Sequence, residues 1–181
     1  MIERLLALDT AALDAIQGMR YAFLDAVMPF ISKLGDGGAI WIALTLVLML
    51  FRKTRRTGYM LALSLVLGLL IGNLTLKPLI ARVRPYDANP DFVLLIDRLS
   101  DYSFPSGHTL ASFEAATVLL LQYRAKAVPA LVLALLIAFS RLYLYVHYPS
   151  DVLAGALLGV AFACIARAAV RRMTARSRTE L

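Results

Sequence analysis

The chain has 181 residues, a formal net charge of +7, 60% hydrophobic against 17% charged residues, and a mean hydropathy of +0.73. A soluble domain of this length is nearer half apolar and a quarter charged, so the composition excludes one and points to an integral membrane protein. The basic residues fall between apolar runs, as topology signals and lipid headgroup contacts do, which argues against nucleic acid as a partner, and the lone Cys164 excludes a disulfide framework.

In chain order, residues 2–17 mix leucines with Glu3, Arg4, Asp9 and Asp14 and predict a short interfacial amphipathic helix. No basic segment followed by an apolar core opens the chain, so no cleaved signal peptide is expected. Six apolar spans are predicted after it. The first, 19–34, is interrupted by Asp25 and Pro29 and ends at the tight turn Gly35-Asp-Gly-Gly38. The second, 39–51, begins with Trp41 as an expected interfacial anchor and stops at Arg52-Lys-Thr-Arg-Arg56. The third, 57–80, carries Gly68 and Gly72 at a spacing that lets helices approach closely. A long polar loop, 81–104, holds Asp87, Asp91, Asp97 and Asp101. Spans 109–123, 127–146 and 152–170 follow, the last with Gly155 and Gly159, and the basic tail from Arg171 is expected to fray. Several spans are shorter than the roughly 20 residues of a straight crossing, so tilt, flanking residues or local thinning make up the difference. The expected fold is an all-α single domain over residues 1–181: a six-helix membrane bundle with an N-terminal interfacial helix.

Counting basic residues orients it. With the N-terminus in the cytoplasm, thirteen of the 19 Lys and Arg lie on the cytoplasmic side and six, Lys33, Lys77, Arg82, Arg84, Arg98 and Arg141, on the other. Both termini are therefore expected in the cytoplasm, and the long loop outside it.

Three polar pieces then meet on the outer face. Lys77 to Arg84-Pro85 ends the third span, Pro105-Ser106-Gly107-His108 opens the fourth, and Ser140-Arg141, His147 and Asp151 bridge the fifth and sixth. Ser106 is a good N-cap, and a helix starting there aims free N–H groups and its dipole at an anion. Lys77, Arg84 and Arg141 are three cations for a phosphate, the arginines able to hold two oxygens each. Asp151 follows His147 by four residues, so it can hold one ring nitrogen and leave the other lone pair free for attack. His108 remains as acid and base, and these are the only two histidines in the chain.

Lys-x6-Arg-Pro, Pro-Ser-Gly-His and Ser-Arg-x5-His-x3-Asp, in that order between Lys77 and Asp151, resemble the three motifs of the type-2 phosphatidic-acid phosphatase superfamily. That superfamily also includes bacterial acid phosphatases and vanadium haloperoxidases. The resemblance implies that His147 attacks phosphorus to form a phosphohistidine, oriented by Asp151. His108 protonates the leaving oxygen and then activates water. Lys77, Arg84, Ser106, Gly107 and Arg141 hold the phosphoryl oxygens, without a metal or other cofactor. The compact chain looks most like the small bacterial undecaprenyl-diphosphate phosphatases. Phosphatidylglycerophosphate, phosphatidic acid and a lipid A phosphate are the other substrates considered, and no obligatory protein partner is evident.

Neighbouring residues carry blander readings. Arg82 is expected to be a snorkelling anchor, Ser140 either a site group or a backbone cap, and Asn73 a support for Lys77. Glu114, six residues beyond His108, is expected to be a structural partner or to face lipid rather than to catalyse. Gly155 and Gly159 are expected to serve helix packing.

Overall fold

The computed structural model describes residues 2–179, and no strand occurs among them. Its helices are α1 (Ile2–Gln17), α2 (Ala22–Leu34), α3 (Ala39–Leu50), α4 (Arg55–Leu67), α5 (Lys77–Ile80), α6 (Pro85–Ala88), α7 (Gly107–Tyr123), α8 (Val128–Tyr143) and α9 (Pro149–Thr179). Between α4 and α5 the chain stays helical but widens into π turns over Gly68–Leu76. Among these residues, four stretches are long and apolar enough to cross a membrane: Ala22–Leu50, Arg55–Ala88, Gly107–Tyr143 and Pro149–Thr174.

Two of the four are divided into two long helices each, and a third, Arg55–Ala88, is broken at Ala81. Gly37 and Gly38 take positive φ of 57° and 71° between α2 and α3, and Arg124 takes φ 54° between α7 and α8. The six apolar segments expected from sequence are therefore present as helices, while length and composition alone distinguish four crossing stretches. The basic tail is helical through Thr179 rather than frayed. Residues 1, 180 and 181 lie outside the described part.

Burial is inverted relative to a soluble protein. Leu50, Phe30, Leu79 and Leu157 are exposed, whereas Lys77, Arg84, Arg141 and Asp151 are buried. An apolar solvent around the bundle accounts for both. α7 is the central helix and packs most extensively on α9 and α8. Glycines make the α7–α9 contact close: a Cβ at Gly155 would sit 2.7 Å from the Ser106 carbonyl oxygen, and one at Gly159 2.7 Å from that of Leu110. This is the packing role expected of the pair.

Two cores divide the length of the bundle. One is aliphatic, with Leu48, Met60, Leu61, Val118 and Ile137 around Trp41. Trp41 is not the expected interfacial anchor: it is 2% exposed, and its indole Nε1 donates to Ser112 Oγ at 3.0 Å. A buried indole needs such a partner, and the hydroxyl of α7 supplies it. The second core is rich in tyrosine and joins Leu13 of α1 and Met28 of α2 to Tyr86, Tyr143, Tyr145 and Tyr148. It ties α1 and the long loop to the segment that carries His147.

Candidate active site

Two reversals of the chain deliver the charged side chains. α5 ends at Ala81, whose φ of 48° is left-handed, and Arg82 and Arg84 follow at once. Tyr145, between α8 and α9, has φ 60°, unusual for a bulky side chain. Its N–H reaches the Leu142 carbonyl at 3.0 Å, the Val146 N–H reaches that of Arg141 at 3.2 Å, and its ring stacks on Phe92 at 3.9 Å. These contacts hold the turn two residues before His147, the kind of strained backbone that surrounding structure must over-determine.

His147 is 1% exposed. Its Nδ1 lies 3.7 Å from Asp151 Oδ2, longer than a hydrogen bond, and 3.5 Å from Ser103 Oγ. Ser103 donates to Asp151 Oδ2 at 2.5 Å, which leaves its oxygen facing Nδ1–H. The expected direct grip of Asp151 on the ring is thus shared with a serine. Asp151 also accepts the Tyr148 N–H at 2.9 Å on Oδ2 and Arg82 Nη1 at 2.5 Å on Oδ1. With acceptors gathered at Nδ1, the network assigns the proton there and the lone pair to Nε2, which lies 3.3 Å from Arg84 Nη1. Burial, then the charges of Arg84 and Arg141, outweigh Asp151 and hold the His147 pKa down at about 3. The ring is therefore neutral near pH 7 and keeps a free lone pair on Nε2.

Arg84 and Arg141 act on this ring, and Lys77 is linked to Arg84 through Asp101. Arg84 donates to the Val146 carbonyl at 2.6 Å, the Asp101 carbonyl at 2.8 Å and Asp101 Oδ1 at 2.5 Å. The Lys77 ammonium bonds the same Asp101 carboxylate. Burial would raise the pKa of Asp101, but the hydrogen bond and charge of Lys77, with those of Arg84, hold it at about 2. Arg141 is 1% exposed and bonds Ser32 Oγ, while its Nε and Nη2 are buried with no protein partner. Unpaired donors on a buried guanidinium are costly and suit an anion. Its charge acts on Lys77, His108 and His147 together.

Pro105-Ser106-Gly107-His108 opens α7 as expected, with one change. Ser106 holds the N-cap position, but its Oγ pairs with Thr109 Oγ1 at 2.9 Å instead of capping the backbone. Its own N–H reaches the Asp151 carbonyl at 3.2 Å and links the starts of α7 and α9. Gly107 lies close against Asn73, whose Oδ1 would be 2.8 Å from a Cβ there. Asn73 thus packs on Gly107, and the partner of Lys77 is Asp101. His108 Nε2 is 2.8 Å from Asp36 Oδ1 in the turn before α3. Ser140 Oγ donates to the Ile137 carbonyl at 2.6 Å, a backbone contact only.

Arg82 is not the expected snorkelling anchor. Its guanidinium joins Asp151 to Asp9 of α1, with Nη2 2.7 Å from Asp9 Oδ2. Sequence reading also passed over Ser103 and Asp36, and noted Asp101 only as a loop acid. Ser103 and Asp36 had a signal in their neighbours, the Ser-Gly-His stretch and a glycine turn. Asp9 had none.

Beside the cations opens a cavity of about 520 Å³, running from Lys77, Asp101 and His108 between α3 and α4 to Glu114. Its walls include Ile42, Leu46, Val66 and Leu69, all exposed on the apolar flank of the bundle. Glu114 is 1% exposed and faces Gly68, where a Cβ would lie 2.6 Å from its Oε1. The missing side chain at Gly68, where the widened turns start, leaves room for this carboxyl, which lines the cavity.

Residues 57–175 match the PAP2 superfamily, a span that includes every motif residue. An undecaprenyl-diphosphatase of Sulfolobus acidocaldarius is 39% identical over 140 residues, 76% of this chain and 66% of that protein, so the chain spans just under two thirds of that relative's length. The crystal structure of Aquifex aeolicus LpxE superposes with a TM-score of 0.79 at 31% identity, covering 88% of this chain and 94% of that one. That of a transmembrane PAP2-type phosphatidylglycerolphosphate phosphatase from Bacillus subtilis does so with 0.76 at 29% identity, covering 93% and 87%. Motifs, fold and sequence agree, and the chain belongs to the PAP2 superfamily.

Proposed function

We propose that the protein is a membrane lipid phosphatase that hydrolyses a lipid (di)phosphate through a phosphohistidine on His147. The observation that carries this reading is a buried, neutral imidazole under the charges of Arg84 and Arg141, with Lys77 linked to Arg84 through Asp101 and heading an apolar groove together with His108. His147 Nε2 attacks phosphorus while Nδ1–H is held toward Ser103 and Asp151. The P–O bond to the lipid breaks, and His108 gives its proton to the departing oxygen. Water then attacks the phosphohistidine, His108 takes the water's proton, the N–P bond breaks and phosphate leaves. The cations carry the charge that gathers on the phosphoryl oxygens, and Lys77 and Arg84 exchange Asp101 for phosphate as the substrate enters. Arg141 offers the donors that no protein group uses. No metal takes part.

The groove supports an amphiphile whose chain lies between α3 and α4 while its phosphate meets Lys77. Undecaprenyl diphosphate is the favoured substrate, because the relative at 39% identity carries that activity in its name. The six segments α2, α3, α4 with α5, α7, α8 and α9 each cross the membrane in this reading, with both termini cytoplasmic and the site outside. The experiment is phosphate release by the purified protein from undecaprenyl diphosphate, phosphatidylglycerophosphate and phosphatidic acid, with EDTA present and absent. The expected result is the highest kcat/KM on the undecaprenyl substrate, unchanged by EDTA. Preference for phosphatidylglycerophosphate would move the assignment to that lipid, and no release from any of the three would reject the phosphatase reading.

A further inference from the structure

We propose that Arg82, held by Asp9 of the N-terminal helix, is a positioning residue that fixes Asp151 behind His147. The inference rests on the phosphatase reading above and extends its machinery beyond the three motifs, into a helix outside the matched residues 57–175.

Arg82 is enclosed by four groups. Nη1 donates to Asp151 Oδ1 at 2.5 Å and Ser150 Oγ at 2.7 Å, Nη2 donates to Asp9 Oδ2 at 2.7 Å, and the guanidinium lies 4.0 Å above the Tyr148 ring. A snorkelling arginine sends its head into water; this one spends its donors on two carboxylates, both buried. Asp9 is 4% exposed. It accepts the Ser150 N–H at 2.9 Å and the Ser150 Oγ at 2.5 Å, so it also grips the start of α9.

The two oxygens of Asp151 are divided between two tasks. Oδ2 receives Ser103 and the Tyr148 N–H and faces His147 Nδ1. Oδ1 receives Arg82. Without Arg82, nothing on the Oδ1 side opposes rotation of the carboxylate about its last bond, and the Oδ2 geometry toward the ring loosens. Arg82 touches neither the ring nor the three phosphate cations, so its influence passes through Asp151. Outer-shell partners of this kind are worth roughly ten- to a hundredfold in activity. Asp9 acts one step further back and supplies the second edge of the fork, which a lysine cannot use in the same way.

The test uses the full chain in detergent and measures kcat, KM and acid-trapped phosphoprotein with undecaprenyl diphosphate. Arg82→Gln should lower kcat about ten- to a hundredfold and leave KM within about threefold. Arg82→Lys should recover part of the loss, and Asp9→Asn should cost about three- to tenfold in kcat. The double variant Arg82→Gln/Asp151→Asn should be no slower than Asp151→Asn alone, because the two changes disable one device. A purely structural Arg82 predicts the opposite: multiplicative losses in the double variant, or a folded Arg82→Gln with unchanged kcat. If Arg82→Gln does not fold, the Asp9→Asn/Asp151→Asn cycle decides by the same criterion. An inactive wild type with all lipid phosphates rejects the phosphatase reading itself, whereas an active wild type with an indifferent Arg82 rejects only the positioning role.

Discussion

The two histidines of the chain sit in opposite surroundings. His147 is closed in: Ser103, Asp151 and Arg84 border its ring, Arg82 and the Tyr148 N–H brace Asp151, and the turn that carries it is tied by Tyr145 to Phe92. His108 has one polar partner described, Asp36, and that carboxylate is 62% exposed on a glycine turn. In the proposed reaction His147 must present one lone pair along one line, so its ring is worth fixing from several sides. A proton donor must reach a leaving oxygen, then water, and then be reset by solvent. A single exposed carboxylate on a loop permits that; a buried network does not.

The difference predicts different failures, and the largest tests the closed-in side. His147→Ala should lower turnover by about 10⁴-fold or more and abolish acid-trapped phosphoprotein with every substrate. Trapped phosphoprotein in that variant would show that the nucleophile lies elsewhere. His108→Ala should cost about 10²- to 10⁴-fold on a lipid monophosphate ester, whose alkoxide leaves poorly without a proton. The same variant should lose far less on p-nitrophenyl phosphate, with a diphosphate between them. Equal losses on all three substrates would end the assignment of His108 as the acid.

The supporting residues sharpen the contrast at smaller cost. Ser103→Ala removes the hydroxyl between Asp151 and His147 and leaves buried polar groups short of a partner, worth about 1–3 kcal/mol. Expressed in the transition state, that is roughly ten- to a hundredfold in kcat at steady KM. Asp36→Asn keeps the shape of the side chain and acts through an exposed carboxylate, so a loss within about fivefold is expected. A steady-state comparison of the two variants checks this, and a larger effect from Asp36 would show that His108 is as tightly held as His147.

The proposed catalytic set is visible in the sequence because each member belongs to a local pattern. His147 and Asp151 are four residues apart, Ser106 and Gly107 precede an apolar run, and Lys77 and Arg84 close a span. The supporting set is hidden for a physical reason. Asp9 and Arg82 are 73 positions apart, and Asp36 and His108 are 72 apart. Nothing periodic connects such pairs; tertiary packing alone does. Trp41 was misread because an apolar run followed by arginines places the residue along the membrane normal but does not say which side faces Ser112. The wide turns over Gly68–Leu76 were equally unreadable, since their glycines also fit ordinary close packing.

Titration of the closed-in histidine gives the smallest and most particular effect. An unperturbed histidine takes up its proton near 6.5, whereas His147 in the fold does so only near 3. Between those values the unfolded chain binds one proton more than the folded one, so stability falls as pH falls through 6.5 toward 3 and is fully present above 6.5. Asp101 acts in the same direction at lower pH, between 3.8 and about 2, and is silent at pH 5. Each pH unit within the histidine window is worth at most about 1.4 kcal/mol, so a descent from pH 7.5 to 5.0 removes at most about 2 kcal/mol. For a chain of this size that is a Tm change of roughly 4–8 °C. His147→Gln carries no titrating ring, and every other group is common to both proteins. The Tm difference between pH 7.5 and 5.0 in one non-ionic detergent should therefore be several degrees larger for the wild type than for His147→Gln. Identical differences would mean that the folded pocket admits a proton near neutral pH, and the neutral, enclosed ring of His147 would be lost.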